Sequence, residues 1–92
     1  MKVKSIQAGA GTVGVAAQVL IPANTYRNPA FYVEVKADAD NSGDVFVGES
    51  AVSATQGYRL DAGESVQIPI EDPSTLSVIG SAADQSYTWL LV

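Results

Sequence analysis

Residues that favour turns divide this chain into short segments. They recur at residues 22–24, 28–29, 40–43, 48–50, 56–57, 61–63, 71–74 and 80–81, and most of these sites contain Gly, Pro, Asn or Asp. The intervals between them fit strands of about five to eight residues and leave little room for helices, whose usual length is greater. The spacing therefore predicts an all-β fold.

Within the segments, apolar and polar residues alternate with a period of two. The alternation is clearest over residues 31–36, 66–70 and 76–78, and it continues over residues 13–19. This period is typical of strands with one buried face. We predict strands at residues 2–8, 12–20, 30–37, 44–48, 51–54, 64–70, 74–79 and 85–92. Pro69 interrupts one of them and indicates an edge strand or a bulge, because proline cannot donate to a ladder.

Seven to eight short, mainly antiparallel strands with glycine-rich turns predict a small β-sandwich or jelly roll. With 92 residues and no linker, the chain is expected to form a single domain spanning residues 1–92. The last strand is apolar on both faces. Its two sets of alternating residues are Tyr87, Trp89 and Leu91, and Thr88, Leu90 and Val92. Such a strand needs two covers, the core and something else.

Composition restricts the chemistry that the chain can perform. It contains no cysteine and no histidine, so the thiolate and imidazole groups that serve most often as metal ligands, nucleophiles and general bases are missing. The net charge is −5 and the five basic residues are scattered, which argues against a nucleic-acid partner. No segment approaches the roughly 20 apolar residues of a membrane span. We expect a soluble, unprocessed, non-enzymatic protein with no catalytic, cofactor or metal site and no membrane partner.

A complete G-x-G-x-x-G pattern runs from Gly9 to Gly14 and resembles a dinucleotide-binding fingerprint, with Glu34 at the spacing of a ribose-binding acid. The following segment is rich in valine and reaches Pro22 too soon for a crossover helix. No second βα unit follows. We interpret the glycines as a tight turn or bulge between two strands.

Residues 38–49 carry the acidic, polar and glycine positions of an EF-hand loop, from Asp38 to Glu49. The flanking segments predict strands and not helices. We interpret the segment as a solvated hairpin loop in which Asn41 and Gly43 adopt positive φ angles. A weak calcium site of another kind stays open as an alternative.

Two acidic pairs, Asp61 with Glu64 and Glu71 with Asp72, have the composition of a hydrolase carboxylate pair. Both lie in predicted turns, where carboxylates are normally solvated. Trp89 and the four tyrosines provide the side chains of a sugar-binding surface, but such aromatic residues pack more often in cores or subunit contacts. A carbohydrate- or calcium-binding β-sandwich module is therefore the alternative from another functional class.

The second half of the chain carries a series of short motifs: NSGDVFVG at residues 41–48, Val52-Ser53, GYRLDAGES at residues 57–65, LSVIG at residues 76–80 and YTWL at residues 87–90. In these motifs it resembles small virion structural proteins of tailed bacteriophages. These motifs consist of turn glycines and strand residues. The resemblance implies a jelly-roll-like or sandwich domain that serves as a capsid decoration (cement) protein, or as a head–tail or tail component.

As a decoration protein, the chain would be soluble in the host cytoplasm before assembly and lie on the capsid surface of the virion afterwards. Its partners would be the major capsid protein or other virion proteins, and it would form a homo-oligomer, with a trimer favoured. Two segments are the expected contacts with the capsid or with other copies. They are the glycine-rich N-terminal segment and the last strand, with Tyr87, Trp89, Leu90, Leu91 and Val92.

Overall fold

Eight antiparallel strands form two four-stranded sheets in the computed structural model, which describes residues 7–21, 32–49, 52–53, 55–70 and 72–92. The strands are β1 (Gln7–Val13), β2 (Gln18–Val19), β3 (Tyr32–Ala37), β4 (Val45–Gly48), β5 (Tyr58–Leu60), β6 (Ser65–Pro69), β7 (Ser77–Gly80) and β8 (Gln85–Leu91). The first sheet has the order β1-β8-β3-β6, and the second has the order β2-β7-β4-β5. The prediction of an all-β sandwich is confirmed.

The strands pair from the two ends of the chain inwards, the first with the last and the second with the one before it. β1 pairs with β8, β2 with β7, β3 with β6 and β4 with β5, while β3 with β8 and β4 with β7 join these pairs into sheets. The chain is thus wound as one long hairpin that folds over on itself, which is the arrangement of a jelly roll. Both layers depend on pairs of strands that lie far apart in sequence.

The core lies between the two sheets and is built from the inward-facing residues of the strands in which apolar and polar residues alternate. Its fully buried members include Val33 and Val35 on β3, Val45 on β4 and Val78 on β7. Tyr87, Trp89 and Leu91 of β8 lie in the same cluster. The Tyr87 hydroxyl donates a hydrogen bond to the Leu20 carbonyl at 3.1 Å, so its polar end is satisfied inside the core.

Several predicted strands match those observed, and the match is best where the alternation is strongest. β3, β4, β6 and β8 fall within the predicted ranges 30–37, 44–48, 64–70 and 85–92. Pro69 ends β6, which is an edge strand of the first sheet, so the prediction of an edge at this proline is confirmed. Of the predicted strand 2–8, only residues 7 and 8 lie among the described residues, and both belong to β1.

Three predicted strands are wrong in extent or place. The range 12–20 is divided, because β1 ends at Val13 and β2 contains only residues 18–19. In the range 51–54, Ser53 forms an isolated bridge with Gln56, and the strand itself is β5 at residues 58–60. The range 74–79 begins in a 3-10 turn, Pro73–Thr75, which is capped by the Asp72 side chain.

The interpretation of the glycine-rich segment as a tight turn or bulge is wrong for Gly9 and Gly11, which lie inside β1, whereas Gly14 does lie in the connection to β2. Gly9 pairs with Trp89 and Gly11 with Tyr87 across the β1–β8 ladder. A Cβ atom added at Gly9 would lie 2.5 Å from Trp89 Cζ2, and one added at Gly11 would lie 2.6 Å from the Tyr87 hydroxyl oxygen. The two glycines therefore make room for aromatic rings that cross the neighbouring strand.

Candidate contact surface

The two sets of alternating residues in the last strand point to opposite faces of the sheet, as predicted. The odd-numbered set packs in the core, and the even-numbered set lies near the surface. Tyr87, Trp89 and Leu91 are 3%, 7% and 3% exposed, so the core of the same chain already covers them. Leu90 and Val92 are half-buried and point away from the core. Of the five contact residues predicted from the sequence, the structure leaves Leu90 and Val92 accessible to a partner.

The outer face of the first sheet carries two rows of side chains that run across three strands. Ala8, Leu90 and Glu34 are register neighbours in one row, and Ala10, Thr88 and Lys36 are neighbours in the next. These six residues, here called the open face, line a concavity of about 580 Å³ on the outside of the sheet, to which Gly9 and Trp89 also contribute. Small side chains on β1 make the depression, and Leu90 has the largest apolar side chain of the six.

The outer face of the second sheet is covered by the chain itself around Phe46 on β4, while Val19 on β2 is 52% exposed. Phe46 points outward between the inward residues Val45 and Val47, yet it is only 7% exposed. Val52, which is 6% exposed, lies against the same face: a Cβ added at Gly57 would be 2.6 Å from Val52 Cγ2 and 3.1 Å from Phe46 Cβ. Phe46 and Val52 form a small apolar cluster outside the main core. The two sheets thus differ, because the open face has no comparable cover among the described residues.

The loop at residues 38–44, whose sequence partly matches an EF-hand, is organised by hydrogen bonds to the start of β8. Asn41 Oδ1 accepts from the Ser86 amide and Asn41 Nδ2 donates to the Ser86 carbonyl, both at 2.8 Å. Asp38 Oδ1 accepts from the Asp40 amide at 2.9 Å. The loop joins β3 of the first sheet to β4 of the second, so it is a connection between sheets and not a hairpin.

Asn41 and Gly43 do not adopt positive φ angles, contrary to the prediction. Among the described residues, positive φ occurs at Asp84, with 59°, and at Gly63, with 87°. Gly43 is instead packed closely against the Ser81 hydroxyl, where a Cβ would collide. Its amide donates to Gln85 Oε1 at 2.8 Å, so its environment and not its backbone angle favours glycine.

Gln85 is a polar residue that the sequence analysis did not single out. It is 1% exposed, and its side chain connects three loop groups. Nε2 donates to the Ala83 carbonyl at 2.8 Å and to the Ser42 hydroxyl at 3.1 Å, and Oε1 accepts from the Gly43 amide. Gln85 lies at the start of β8, where the alternation predicts an inward apolar residue. A glutamine at such a position indicates a buried side chain that makes hydrogen bonds to nearby loops.

The acidic pairs have structural roles in the turns. Glu64 Oε1 accepts from the Asp61 amide at 2.8 Å and so closes the turn between β5 and β6, in which Gly63 provides the positive φ. Asp61 also forms an exposed ion pair with Arg59 at 3.1 Å. Asp72 Oδ1 accepts from the Ser74 amide at 3.0 Å, while Glu71 lies outside the described residues.

Neither the described residues nor the comparisons supply a further type of site. Nowhere in the described part of the chain do three or more Asp or Glu side chains gather as metal ligands would. The one helical segment within the described ranges is the 3-10 turn, and no helix there is long and apolar enough to cross a membrane. Comparison with protein-family models, curated proteins and solved structures found no match.

Calcium is expected to leave the melting temperature of the purified chain unchanged. In the loop, Asn41 Oδ1 and one Asp38 oxygen already accept backbone hydrogen bonds, and β4 replaces the helix that would position Glu49. Differential scanning calorimetry with calcium or with EDTA tests this expectation, with magnesium as the control for ionic strength. A rise in melting temperature that is specific to calcium would favour the calcium-binding alternative.

Proposed function

We propose that the chain is a non-enzymatic structural protein of a bacteriophage virion, and that it acts as a decoration protein bound to the capsid surface. The observation that carries this proposal is the difference between the two sheets. On the outer face of the second sheet, Val52 of the same chain covers the large side chain Phe46, whereas the first sheet leaves Leu90 and the alanines of β1 accessible.

The open face has the chemistry of a protein contact surface. It combines one large apolar side chain, small side chains that allow close approach, and one acidic and one basic residue, Glu34 and Lys36. Trp89 and Tyr87, which a sugar-binding surface would need outside, have their rings in the core. This arrangement supports a protein partner, such as the major capsid protein, over the carbohydrate-binding alternative.

Mass spectrometry of phage particles, purified through two successive density gradients from a culture that produces the chain, tests the proposal. We expect the chain in the particle fraction, in a fixed ratio to the major capsid protein. A soluble enzyme of the host, followed in the same fractions, reports carry-over. Recovery of the chain only from the soluble fraction would contradict the assignment to a virion.

A charge placed on the open face tests which surface binds the particle. We expect Leu90→Glu to abolish binding of added chain to particles that lack it, because a carboxylate would be desolvated in the contact. Leu90 is half-buried and points outward, so the core remains intact. Tyr58→Glu, at a side chain 61% exposed on the second sheet, is the matched control and should bind normally. The opposite pattern would assign the contact to the second sheet.

A further inference from the structure

The backbone hydrogen bonds of β8 establish which groups of β1 point away from the first sheet. Val92 and Tyr32 exchange hydrogen bonds in both directions, at 3.0 and 3.2 Å, so the even-numbered residues of β8 direct their backbone groups towards β3. The odd-numbered residues of β8 therefore bond to the odd-numbered residues of β1. It follows that Ala8, Ala10 and Thr12 direct their amide and carbonyl groups away from the sheet.

Two further hydrogen bonds agree with the outward direction of these backbone groups and limit the part of the β1 edge that is accessible. The Thr12 carbonyl accepts a hydrogen bond from Gln18 Nε2 at 2.9 Å, and the Gly14 carbonyl accepts from the Gly80 amide at 2.8 Å. The far end of β1 is thus occupied by the chain itself. Within the described part of the chain, the outward backbone groups of β1 that have no partner are those of Ala8 and Ala10.

The other sheet edges carry features that discourage pairing with another chain. β2 has two residues, β5 has three and includes Arg59, and β6 ends in Pro69. Short strands, charges and proline are the usual means of protecting an edge. β1 has none of them: its seven residues carry no charge and no proline, and they pair with β8 in unbroken register.

We propose that β1 pairs with β1 of a second copy of this chain, antiparallel and about a two-fold axis at Gly9. Ala8 of each copy then faces Ala10 of the other, and the two pairs exchange hydrogen bonds through backbone groups that have no partner among the described residues of the single chain. Residues 8–10 read Ala-Gly-Ala, so the pairing places equal small residues opposite each other and brings no like charges together. The two first sheets become one continuous sheet.

This inference does not depend on the role in a virion. It concerns the purified chain in solution, and it favours two copies over the trimer that the resemblance implies. Sedimentation equilibrium of the full chain should give twice the 9.5 kDa mass of one chain. A monomer across the accessible concentration range, or a trimer, would overturn the proposal, and neither result would bear on the presence of the chain in particles.

Charge substitutions test the register as well as the surface. A8K/A10K places like charges opposite each other across the axis, so we expect loss of the dimer at concentrations where the unaltered chain is fully dimeric. A8K/A10E places opposite charges there and should restore it. Thr88→Lys changes an exposed residue on the same face but one strand away from the edge, and the dimer should persist. Loss of the dimer in T88K, or equal behaviour of the two double variants, would overturn β1 pairing.

Amide hydrogen exchange distinguishes folding from association in these variants. The amides of Gly9 and Gly11 bond to β8, so they should be protected in every folded variant. The amides of Ala8 and Ala10 should be protected only in the dimer and should exchange faster on dilution. If their protection did not depend on concentration, a second copy would not be their partner, and the proposal would fail.

Discussion

Gly9→Ala is expected to lower the free energy of unfolding by about 2 kcal/mol, because one added methyl group overpacks the contact with Trp89. The new Cβ would lie 2.5 to 2.9 Å from three atoms of the indole ring. The ring is 7% exposed and packed in the core, so it cannot move aside freely. For a domain of this size, the melting temperature should fall by about 8 to 16 °C.

Gly14→Ala is the matched control for this substitution. Gly14 is the first residue of the β1–β2 connection, and an added Cβ there would meet its nearest neighbour, Ala83 Cα, at 3.8 Å, which is an ordinary contact. We expect a change below about 0.5 kcal/mol in urea unfolding. The G9A cost should also largely vanish in a Trp89→Leu background, since the two effects share one contact. Equal costs with and without the indole ring would refute this explanation.

Gln85→Leu is expected to cost about 3 kcal/mol, although it replaces a buried side chain by an apolar one of similar size. The substitution leaves the Gly43 amide and the Ala83 carbonyl without their partner, and unmade hydrogen bonds of partly buried groups cost about 1 to 3 kcal/mol each. The three loop groups that Gln85 joins belong to two different connections. We therefore expect both loops to loosen together.

Gln67→Leu separates this effect from the loss of any amide side chain. Gln67 is exposed on β6, so its substitution should change the free energy of unfolding by less than about 0.5 kcal/mol. Hydrogen exchange of the Gly43 amide gives a local measurement. It should accelerate in Q85L and stay unchanged in Q67L. A stable Q85L variant with a protected Gly43 amide would show that another group satisfies the loop.

The parts of the fold that the sequence predicts are those with a local signal. Alternation over residues 31–36 and 66–70 reflects one face packed on the core, and it located β3 and β6. β5 was missed because three residues, Tyr58 to Leu60, are too few to show a period. The glycines of β1 were assigned to a turn because glycine favours turns locally. Their actual cause, the rings of Trp89 and Tyr87, lies 80 and 76 residues away in sequence.

The candidate surface depends on information that alternation does not contain. The two faces of β8 are both apolar in sequence, and the position of β8 between β1 and β3 decides which face is buried. Because of that position, Leu90 points to the outer face and can contact a partner, whereas Trp89 is packed in the core. The accessible backbone of Ala8 and Ala10 follows from the same pairing, so no pattern within residues 7–13 predicts it. The cover over Phe46 on the second sheet likewise depends on how Val52 folds back over Gly57.

The central place of β8 in the first sheet has a consequence for synthesis of the chain on the ribosome. β1 and β3 both take β8 as a partner, and β8 is the last of the eight strands to be translated. Until β8 emerges, the first sheet lacks the strand that joins β1 to the β3–β6 pair, and β1 has no partner in this sheet. Folding of this layer therefore waits until β8 has been synthesised and is slow, since loop closure from β1 to β8 must precede the gain from pairing. During that interval the uncharged β1 is the segment most exposed to aggregation, and chaperone dependence should concentrate there.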